Sequence, residues 1–463
     1  MKIEKQSITE FLNNEYANKY VLYVLEDRSI PSLVDGMKPA YRKSLFSALS
    51  FMKKGISVSG LEIVGETYKK AHYHHGNSSI EKVIVNQGAE YSNNTSPFII
   101  NGSGGELRNP KSSAIRYLKF TLSEFQELYN VDLDILEHNY DGDTKIEPKF
   151  YLPLIPLILT SRTSGTGIGY AFSNNMSYSL PSVIDATITA LENIKNKTFK
   201  PLNKLEPYVS GYDGEFVELD RFKWLTKAKY EIKGNNIHVT DLPISESYES
   251  FEDNLKKLII KEKIIDFKNT STIEDIKYVI KMDGAKLKAL TKKNNDRLES
   301  MLKIATSTHA NTYTFLNENK DIIDTLTTPN SVIEYFTEYR LSRYNDRKKL
   351  IIKSLNTKNK YLLDLSRFIK LIIDGELELR NTPIKTIKSF LTNEKITHDV
   401  LSVSITKQTK EEYLKILDEI SLNEKEILKI TNTPIIDMYE ADLKELKNKF
   451  SKYKTKNKII WQK

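Results

Sequence analysis

The feature that most constrains the fold of this chain is a run of apolar residues at heptad spacing in its last third. Positions 341 to 372, taken at alternating steps of three and four residues, carry apolar side chains at eight of ten sites. This period places one apolar stripe along a helix, and burial of the stripe requires a second helix. We therefore predict a long coiled-coil helix that stops near Gly375 and Pro383.

Shorter helical patterns follow the long one. Residues 410–429 are predicted to form a helix that returns antiparallel to it, and residues 436–450 to form a third helix. The segment from Lys452 to Lys458 alternates lysine with other residues and is predicted to be a flexible basic tail.

The first third of the chain combines helices with turn-rich segments. Residues 8–26 and 39–54 are predicted to be amphipathic helices joined by a segment rich in turn-forming residues. The helical pattern resumes over residues 76–89, and residues 92–111 are rich in Asn, Gly and Ser, as in an exposed loop. Over residues 112–129 the apolar side chains are spaced for one face of a helix. A small helical DNA-binding fold fits this arrangement.

The middle of the chain mixes helical and extended patterns. Prolines interrupt it between residues 148 and 156, which indicates a boundary. Residues 230–233 and 237–240 flank Gly234-Asn235-Asn236, and this arrangement predicts a hairpin. Together with the helical thirds on either side, it predicts an α+β multidomain protein.

The amino-acid composition limits which catalytic groups and which partners the chain can use. The chain contains no cysteine, which excludes disulfides, thiolate zinc sites and a cysteine nucleophile. Covalent catalysis must therefore use Ser, Thr, Tyr, Lys, His or a carboxylate. The 69 Lys and Arg residues against 61 Asp and Glu give a net charge of +8, which favours a polyanionic partner. Because no signal peptide and no apolar run of roughly 20 residues is present, we expect a soluble protein of the cytoplasm.

Four cations lie within sixteen residues of one another: Arg28, Lys38, Arg42 and Lys43. Arg supplies a planar fork and Lys a point charge, so the cluster suits a phosphate backbone. A solvated helix face is the alternative explanation.

Three histidines precede the helix predicted from Gly76. His74 and His75 stand where free backbone amides and the positive end of the helix dipole favour an anion. Adjacent histidines can polarise a phosphoryl oxygen or assist proton transfer. His72, His74 and His75 have no fourth ligand in view, which disfavours a metal site, and simple packing is the other alternative.

Tyr117 follows Arg116 directly and falls off the apolar face of its segment. A phenol with an ordinary pKa of about 10 becomes a good nucleophile when a nearby positive charge favours the phenolate. Taken alone, Tyr117 could equally be an ordinary member of the 26 tyrosines in the chain.

A glycine-rich stretch contains Gly165, Gly167 and Gly169. It matches neither a P-loop nor a dinucleotide-binding fingerprint. Glycines allow a backbone to approach a partner closely, and an ordinary tight loop is the alternative.

The order of these segments resembles the breakage-reunion region of type IIA DNA topoisomerases, from about residue 15 to residue 450. Asp27-Arg28, followed by Asp35-Gly36-Met37-Lys38-Pro39 and Arg42, is similar to the family signature DR…DGxKPxxR. Tyr73-His74-His75-Gly76 is similar to the YHHG form of its histidine motif.

The resemblance continues beyond these motifs. Ala114-Ile115-Arg116-Tyr117 stands where the family has its Arg-Tyr pair, and Glu147-Pro148 with residues 151–156 resembles the EPxxYxPxIP segment. In length the chain is most similar to the stand-alone medium subunit of T-even-like phage topoisomerases.

This resemblance implies a role for each matching residue. Tyr117 would attack a DNA phosphate and become linked to the 5′ end. Arg116 and Arg28 would stabilise charge on that phosphate. Lys38 and His75 would hold nearby phosphates, with His75 counted among the catalytic residues. DNA binding would be supported by His74, Arg42 and Lys43.

The chain departs from the family pattern at two places. Gly102-Ser103-Gly104-Gly105-Glu106-Leu107 stands where the family has GQGNFG. Thr166 stands where relatives carry an isoleucine that wedges between base pairs, and Ile168 would have to substitute from another backbone position. We expect both residues to contact DNA, with bending that relies less on intercalation.

The resemblance also implies partners. The sequence has no ATP-binding motif, and the pairs Asp132/Asp134 and Asp141/Asp143 do not resemble a Toprim metal cluster. ATP and Mg²⁺ are therefore expected to act through a separate large ATPase/Toprim subunit. Two copies of the chain are expected to form a homodimer through the helical last third, which places two Tyr117 side chains on opposite strands of double-stranded DNA.

We therefore expect a winged-helix DNA-cleavage domain over residues 1–155, a mixed α/β tower domain over 156–325, and a coiled-coil gate with a basic tail over 326–463. The predicted function is transient double-strand cleavage, strand passage and resealing, with relaxation and decatenation. An architectural protein that binds DNA without cutting is one rival. A tyrosine recombinase is the other, but its Arg-His-x-x-Arg arrangement and late tyrosine are not found.

Overall fold

The computed structural model describes residues 7–11, 19–220, 222–272, 275–309, 311–379, 382–404, 408–453 and 456–461. The chain forms two compact units. The first unit comprises residues 1–340 with 442–463, and the second comprises residues 341–441. The division into units falls at 340/341 and 441/442, and the expected domain boundaries at 155/156 and 325/326 stay predictions.

Helices dominate the start of the first unit. In chain order its elements are α1 (Ile8–Phe11), α2 (Leu22–Val24), a π-helical turn (Leu25–Ser29), α3 (Pro39–Leu49), β1 (Val58–Ser59), α4 (Gly60–Ala71), α5 (Asn77–Gly88), β2 (Phe98–Asn101) and β3 (Lys119–Leu122). Residues 12–18 of the first predicted helix lie outside the described residues.

Local chemistry explains where these helices begin and end. Pro39 occupies the first turn of α3, where its missing N–H costs nothing. The Ser59 side chain accepts a hydrogen bond from the Leu61 amide and caps α4, which ends at His72 in a left-handed conformation. Helices α3, α4 and α5 contact one another, and the antiparallel sheet β1-β3-β2 packs beside them through the buried Phe120.

The helix expected over residues 112–129 is wrong. The segment forms a 3-10 turn (Ile115–Tyr117), strand β3 and a second 3-10 turn (Glu124–Leu128). Strand β3 pairs with both β1 and β2. Pairing on both edges therefore outweighs a spacing of apolar residues that is compatible with a helix.

Strands and short helices make up the middle of the chain. The elements are β4 (His138–Asp141), β5 (Thr144–Pro148), β6 (Thr163–Thr166), β7 (Ala171–Asn174), α6 (Leu180–Asn196), β8 (Glu215–Asp220), β9 (Lys223–Lys227), β10 (Tyr230–Lys233), β11 (Asn236–Val239), α7 (Tyr248–Ile260), β12 (Asp266–Asn269), β13 (Tyr278–Lys281), α8 (Gly284–Thr291), α9 (Asp296–Leu302), β14 (Ala305–Ser307), β15 (Phe315–Leu316) and β16 (Ile322–Ile323). Further 3-10 turns span Leu133–Ile135 and Leu157–Thr160.

Two four-stranded sheets organise this region. The predicted hairpin is confirmed as β10 and β11, in a sheet of order β10-β11-β13-β12. Its inner face packs on α7 through the buried side chains of Ile237, Phe251 and Ile280. The second sheet has the order β14-β9-β8-β17, where β17 (Ile459–Ile460) comes from the end of the chain.

The tail that was predicted to be flexible is packed where the structure describes it. Strand β17 pairs in parallel with β8. Trp461 meets Trp224 edge to face at 5.3 Å between ring centres, and the Asn457 side chain donates to the carbonyl oxygens of Tyr212 and Gly214. The alternating lysines predict a solvated tail, but the apolar residues that follow them, Ile459 to Trp461, attach the tail to the second sheet.

The helical prediction for the last third is confirmed. Helix α10 spans Pro329–Ile373, and α11 (Ile384–Asn393), α12 (Lys410–Asn432) and α13 (Ile435–Phe450) follow. Within the second unit α10 and α12 are antiparallel, since Lys348 bonds the carbonyl oxygen of Thr431 while Asn359 pairs with Asn423. Their shared core includes Leu362, Phe368, Ile416 and Ile420.

Both helices and sheets contribute to the fold, as the predicted α+β class requires. Within the described ranges, no helix is both long enough and apolar enough to cross a membrane.

Candidate active site

Arg28 lies in the π-helical turn, a rare conformation that is frequent at functional sites. More than half of its side chain is exposed, and its Nε lies 3.9 Å from the Asp27 carboxylate. Its guanidinium carbon is 5.8 Å from the centre of the Tyr23 ring. The exposed fork of Arg28 is therefore open to a phosphate.

His75 is held next to Arg28 by Asp27. The His75 Nε2 lies 3.0 Å from Asp27 Oδ2, and the ring packs edge to face on Tyr73 at 5.4 Å. The Tyr68 hydroxyl donates to the carbonyl oxygen of His75. Asp27 was noticed only as part of a motif, yet it joins two of the predicted site residues.

The glycine-rich stretch forms a hairpin, β6–β7, that packs against the π-helical turn. A Cβ at Gly165 would overlap the carbonyl oxygen of Ser29, and one at Gly167 would overlap the Leu25 side chain. Glycine is required at position 165 because the two backbones approach closely there, whereas the neighbour of Gly167 is the end of a flexible side chain. The close backbone approach at Gly165 is within the chain itself, and close approach of the hairpin to a partner stays a prediction.

Lys38 joins the same hairpin. Its Nζ donates to the carbonyl oxygen of Ser164 at 2.9 Å. Burial lowers the pKa of Lys38 from its ordinary value. The structure therefore brings Arg28, Lys38 and His75 together around the π-helical turn.

Thr166 and Ile168 lie at the open end of the hairpin. Both side chains are exposed, Thr166 at the end of β6 and Ile168 in the connecting turn, where Gly169 has a φ of +82°. An exposed apolar side chain on a tight turn has the placement of a wedge. Contact of either residue with DNA stays a prediction.

Tyr117 is presented outward from a tightly anchored turn. Its side chain is 71% exposed, and the guanidinium carbon of Arg116 lies 5.3 Å from its ring centre. The flanking Ile115 and Leu118 are buried, and the Leu118 carbonyl oxygen accepts from the Gly60 amide at 3.0 Å. Fixed neighbours and an exposed hydroxyl are what a nucleophile on a large substrate requires.

The loop that departs from the GQGNFG pattern supports this turn. The Ser113 amide donates to the carbonyl oxygen of Ser103 at 2.8 Å. Gly102, with a φ of +121°, lies against Leu118. The buried Arg108 bonds the Asp241 carboxylate and the Pro243 carbonyl oxygen, and so ties the loop to the sheet region. Sequence analysis overlooked Arg108.

The segments that carry Tyr117 and His75 are anchored at opposite ends of α4. Leu118 bonds Gly60 at the first residue of the helix, whereas the histidine segment leaves its last residue, Ala71. A helix of 12 residues is roughly 18 Å long. Within one chain, therefore, the tyrosine and the cluster of Arg28, Lys38 and His75 form two separate parts of a site.

The structure does not support direct DNA contact by Arg42 and Lys43. Arg42 is buried and bonds Asp35 at two points. Burial works to lower the pKa of Arg42, but the charge of Asp35 outweighs it and the pKa is raised. Lys43 bonds Glu147 at 2.8 Å and the Ala71 carbonyl oxygen. Both cations are therefore engaged in fixing α3 and the segments around it.

His74 keeps the exposure that its predicted role needs. Its side chain is 78% exposed, with Nε2 3.7 Å from Asp141. His72 bonds the same carboxylate through Nδ1 at 2.6 Å. The hydrogen bond from His72, followed by the charges of the two histidines, holds the pKa of Asp141 below its ordinary value.

The carboxylates near the site are mostly engaged by cations. Asp132 forms a hydrogen bond with the buried Arg340 within the first unit, and Asp141 forms one with His72. In the part of the chain that the structure describes, no group of three or more His, Asp or Glu side chains could hold a metal ion.

Known proteins are similar to this chain in sequence and in fold. The family model for the A subunit of DNA gyrase/topoisomerase IV matches residues 28–446. The mitochondrial DNA topoisomerase 2 of Dictyostelium discoideum is 28% identical over 96% of this chain and 36% of its own length. The DNA topoisomerase 2 of Acanthamoeba polyphaga mimivirus is 35% identical over 54% of this chain and 20% of its own length.

A solved structure extends the agreement to three dimensions. The DNA-binding, cleavage and re-ligation domain of Plasmodium falciparum topoisomerase II matches with a TM-score of 0.83 at 25% identity, over 96% of this chain and 64% of that one. The chain spans only about a third of the length of the Dictyostelium protein. The resemblance seen in the sequence is confirmed, and this chain belongs to the family formed by the A subunits of DNA gyrase and topoisomerase IV.

Proposed function

We propose that the chain is the DNA-cleaving subunit of an ATP-dependent type IIA DNA topoisomerase. It makes a transient double-strand break, allows a second duplex to pass and reseals the first. The observation that carries the proposal is the exposed phenol of Tyr117, held beside Arg116 by buried neighbours. Relatives in sequence are named DNA topoisomerase 2, and the solved structure with the same fold is a topoisomerase II domain.

In the proposed reaction the Tyr117 oxygen attacks a backbone phosphorus. A bond forms between tyrosine and the 5′ phosphate, the bond from phosphorus to the 3′ oxygen breaks, and that oxygen takes up a proton while the phenol gives one up. Arg116 and Arg28 stabilise the charge on the phosphate. Because one phosphodiester replaces another, the 3′ hydroxyl can reverse the reaction without external energy.

The arrangement around α4 supports a reaction centre built from two chains. Tyr117 and His75 leave opposite ends of that helix, so the two groups of one chain are poorly placed to share a phosphate. We propose that Tyr117 of one chain acts on a phosphate held by Arg28, Lys38 and His75 of a second copy. The antiparallel helices α10 and α12 of the second unit would form the dimer gate.

ATP and most of the Mg²⁺ coordination are proposed to belong to a separate large subunit with ATPase and Toprim domains. When bound, the metal would add positive charge at the scissile phosphate. The residues described here would position the DNA, through Arg28, Lys38, His74 and the β6–β7 hairpin.

The test is a cleavage assay with purified components. The chain is mixed with a large subunit of its own system, Mg²⁺, ATP and supercoiled plasmid, and the reaction is stopped with detergent. We expect linear DNA with protein attached to its 5′ ends. Tyr117→Phe should abolish the product, whereas Tyr140→Phe, a substitution at a tyrosine that is 64% exposed, should leave it unchanged.

Two results would count against the proposal. Equal cleavage by Tyr117→Phe would remove the nucleophile, and tight DNA binding without any covalent product would favour the architectural rival. The same preparation separates the types of topoisomerase activity. We expect relaxation and decatenation of DNA. ATP-dependent negative supercoiling by the purified complex would contradict this expected type of activity.

A further inference from the structure

A polar cavity of about 550 Å³ lies between the start of α3, the end of α5 and the segment from Leu157 to Ser164. Two cations line it, Lys38 and Arg162, together with neutral polar side chains. The neutral group consists mainly of Tyr41, Asn86, Tyr91 and Asn93. A cavity with this lining offers several hydrogen-bond donors and a net positive charge.

Arg162 is a largely buried cation, and none of the residues that the structure describes supplies it with a counter-ion. Its Nε is buried and has no hydrogen-bond partner among the described residues. Burial and the charge of Arg108 lower the pKa of Arg162. The carboxylate in the cavity wall, that of Asp35, already serves Arg42. A buried guanidinium nitrogen without a partner is costly, so an acceptor from outside the chain is expected.

The backbone holds Arg162 in place. Its amide donates to the carbonyl oxygen of Ser92 at 2.7 Å, and the preceding Ser161 bridges to Asn93. Burial raises the pKa of both Tyr41 and Tyr91, with smaller opposing effects from Asn86 and Arg162 respectively. Both phenols are therefore neutral, and the Tyr91 hydroxyl donates to the carbonyl oxygen of Pro110 at 3.5 Å.

We propose that this cavity is a phosphoryl-binding site in which Arg162 and Lys38 are the cationic ligands. A phosphoryl group supplies several acceptor oxygens for a fork, an ammonium group and neutral donors. The group could belong to the DNA backbone or to a free phosphate compound. Binding to the cavity is independent of strand cleavage, so the site can be tested even if the proposed topoisomerase activity fails.

The first measurement uses inorganic phosphate and the full chain. Calorimetric titration and thermal unfolding compare phosphate with chloride at constant ionic strength. We expect phosphate to bind and to raise the Tm of the wild-type chain and of Arg297→Gln, which removes an exposed arginine. Arg162→Gln should weaken phosphate binding at least tenfold, and Lys38→Gln should weaken it as well.

Folding of the variant is checked in chloride buffer. Arg162→Gln removes a largely buried cation whose Nε has no hydrogen-bond partner among the described residues, so its Tm without phosphate should equal or exceed that of the wild type. If phosphate raises the Tm of Arg162→Gln and of the wild type equally, or if neither responds to phosphate or DNA, the proposed site does not exist.

A second arm distinguishes the source of the phosphoryl group. Equilibrium binding of a 30-base-pair duplex is measured for the same variants with and without phosphate. If the DNA backbone fills the cavity, Arg162→Gln weakens duplex binding relative to Arg297→Gln, and phosphate competes with the duplex. If a free phosphate compound fills it, both variants bind the duplex equally and phosphate still binds the protein–DNA complex.

Discussion

Arg42 and Asp35 form a buried two-point ion pair. The Arg42 Nε donates to Oδ2 of Asp35 at 2.7 Å, and Nη2 donates to Oδ1 at 3.1 Å. Asp35 also accepts the backbone amides of Met37 and Tyr151. One carboxylate therefore joins the loop before α3 to the segment after β5, and it fixes the backbone from which Lys38 reaches the hairpin.

Removal of the Asp35 carboxylate should destabilise the first unit. Asp35→Ala leaves Arg42 as an unpaired buried charge, and losses of about 3–5 kcal/mol are typical for such changes. Urea unfolding followed by circular dichroism measures the free energy. The control is Asp275→Ala, which breaks an exposed pair with Lys277 and should cost less than about 1 kcal/mol. Similar costs for the two variants would show that the buried pair is not important for stability.

The contact between the hairpin and the π-helical turn depends on the absence of a side chain at Gly165. In Gly165→Ala the new Cβ would overlap the Ser29 carbonyl oxygen and lie 2.7 Å from Lys38 Nζ. Overpacking of this kind costs about 1–3 kcal/mol. Displacement of the hairpin should also reduce cleavage and DNA binding.

The control for this change is Gly65→Ala. Gly65 lies within α4 and has open space around its Cβ position. Alanine is favoured over glycine in a helix by up to about 1 kcal/mol, so Gly65→Ala should be neutral or stabilising. Thermal unfolding and duplex binding of both variants test the prediction, and a Gly165→Ala chain that matches wild type in both would contradict it.

The helical second unit should lose stability in acid through Asp364. Burial works to raise the pKa of Asp364, but hydrogen bonds from the His398 ring and from Thr397 and His398 amides outweigh it, and the pKa is lowered. A carboxylate whose folded pKa lies below its unfolded value of about 4 stabilises the fold above that pH, and the stabilisation is lost as pH falls through the folded pKa.

Asp364→Asn should therefore destabilise the chain at pH 7, by roughly 1–3 kcal/mol for the loss of hydrogen bonds to a charged group. The difference from wild type should shrink as pH falls below about 4. Urea titrations at several pH values measure it. Asp374→Asn, at an exposed aspartate of the same unit, should show no such trend, and a constant difference for Asp364→Asn across the pH range would contradict the assignment.

Sequence patterns predicted the parts of the fold in which local spacing and long-range packing agree. The heptad run gave α10 and its antiparallel neighbour, and Gly234-Asn235-Asn236 gave the hairpin. The segment around Tyr117 was misassigned because its two-sided strand pairing involves residues far along the chain. The exposure of Tyr117 was nevertheless predicted correctly. The residue lies off the apolar face of the predicted helix, and it is also exposed in the 3-10 turn that the structure shows.

Prediction of the candidate site from the sequence has a similar limit. Arg28 and Arg42 belong to one basic cluster in the sequence, yet one is exposed and the other is buried against Asp35. Spacing alone does not reveal which cation is engaged by a carboxylate. Arg162 likewise gives no signal in the sequence, because the lack of a partner for its Nε depends on which side chains surround it in three dimensions.

Trp461 attaches the end of the chain to the second sheet. It packs on the buried Trp224, and the Lys204 ammonium lies 4.5 Å from the Trp461 ring centre. Complete burial of a tryptophan is worth about 3–5 kcal/mol relative to alanine, so the half-buried Trp461 should lose roughly 2 kcal/mol in Trp461→Ala. Trp461→Phe keeps a ring against Trp224 and should lose less.

Fluorescence provides a second measurement. Since the chain has only 2 tryptophans, both variants leave Trp224 as the sole indole, and its emission should be shifted to the red in Trp461→Ala relative to Trp461→Phe because water reaches it. An unchanged spectrum with unchanged stability would mean that the tail does not stay on the sheet in solution.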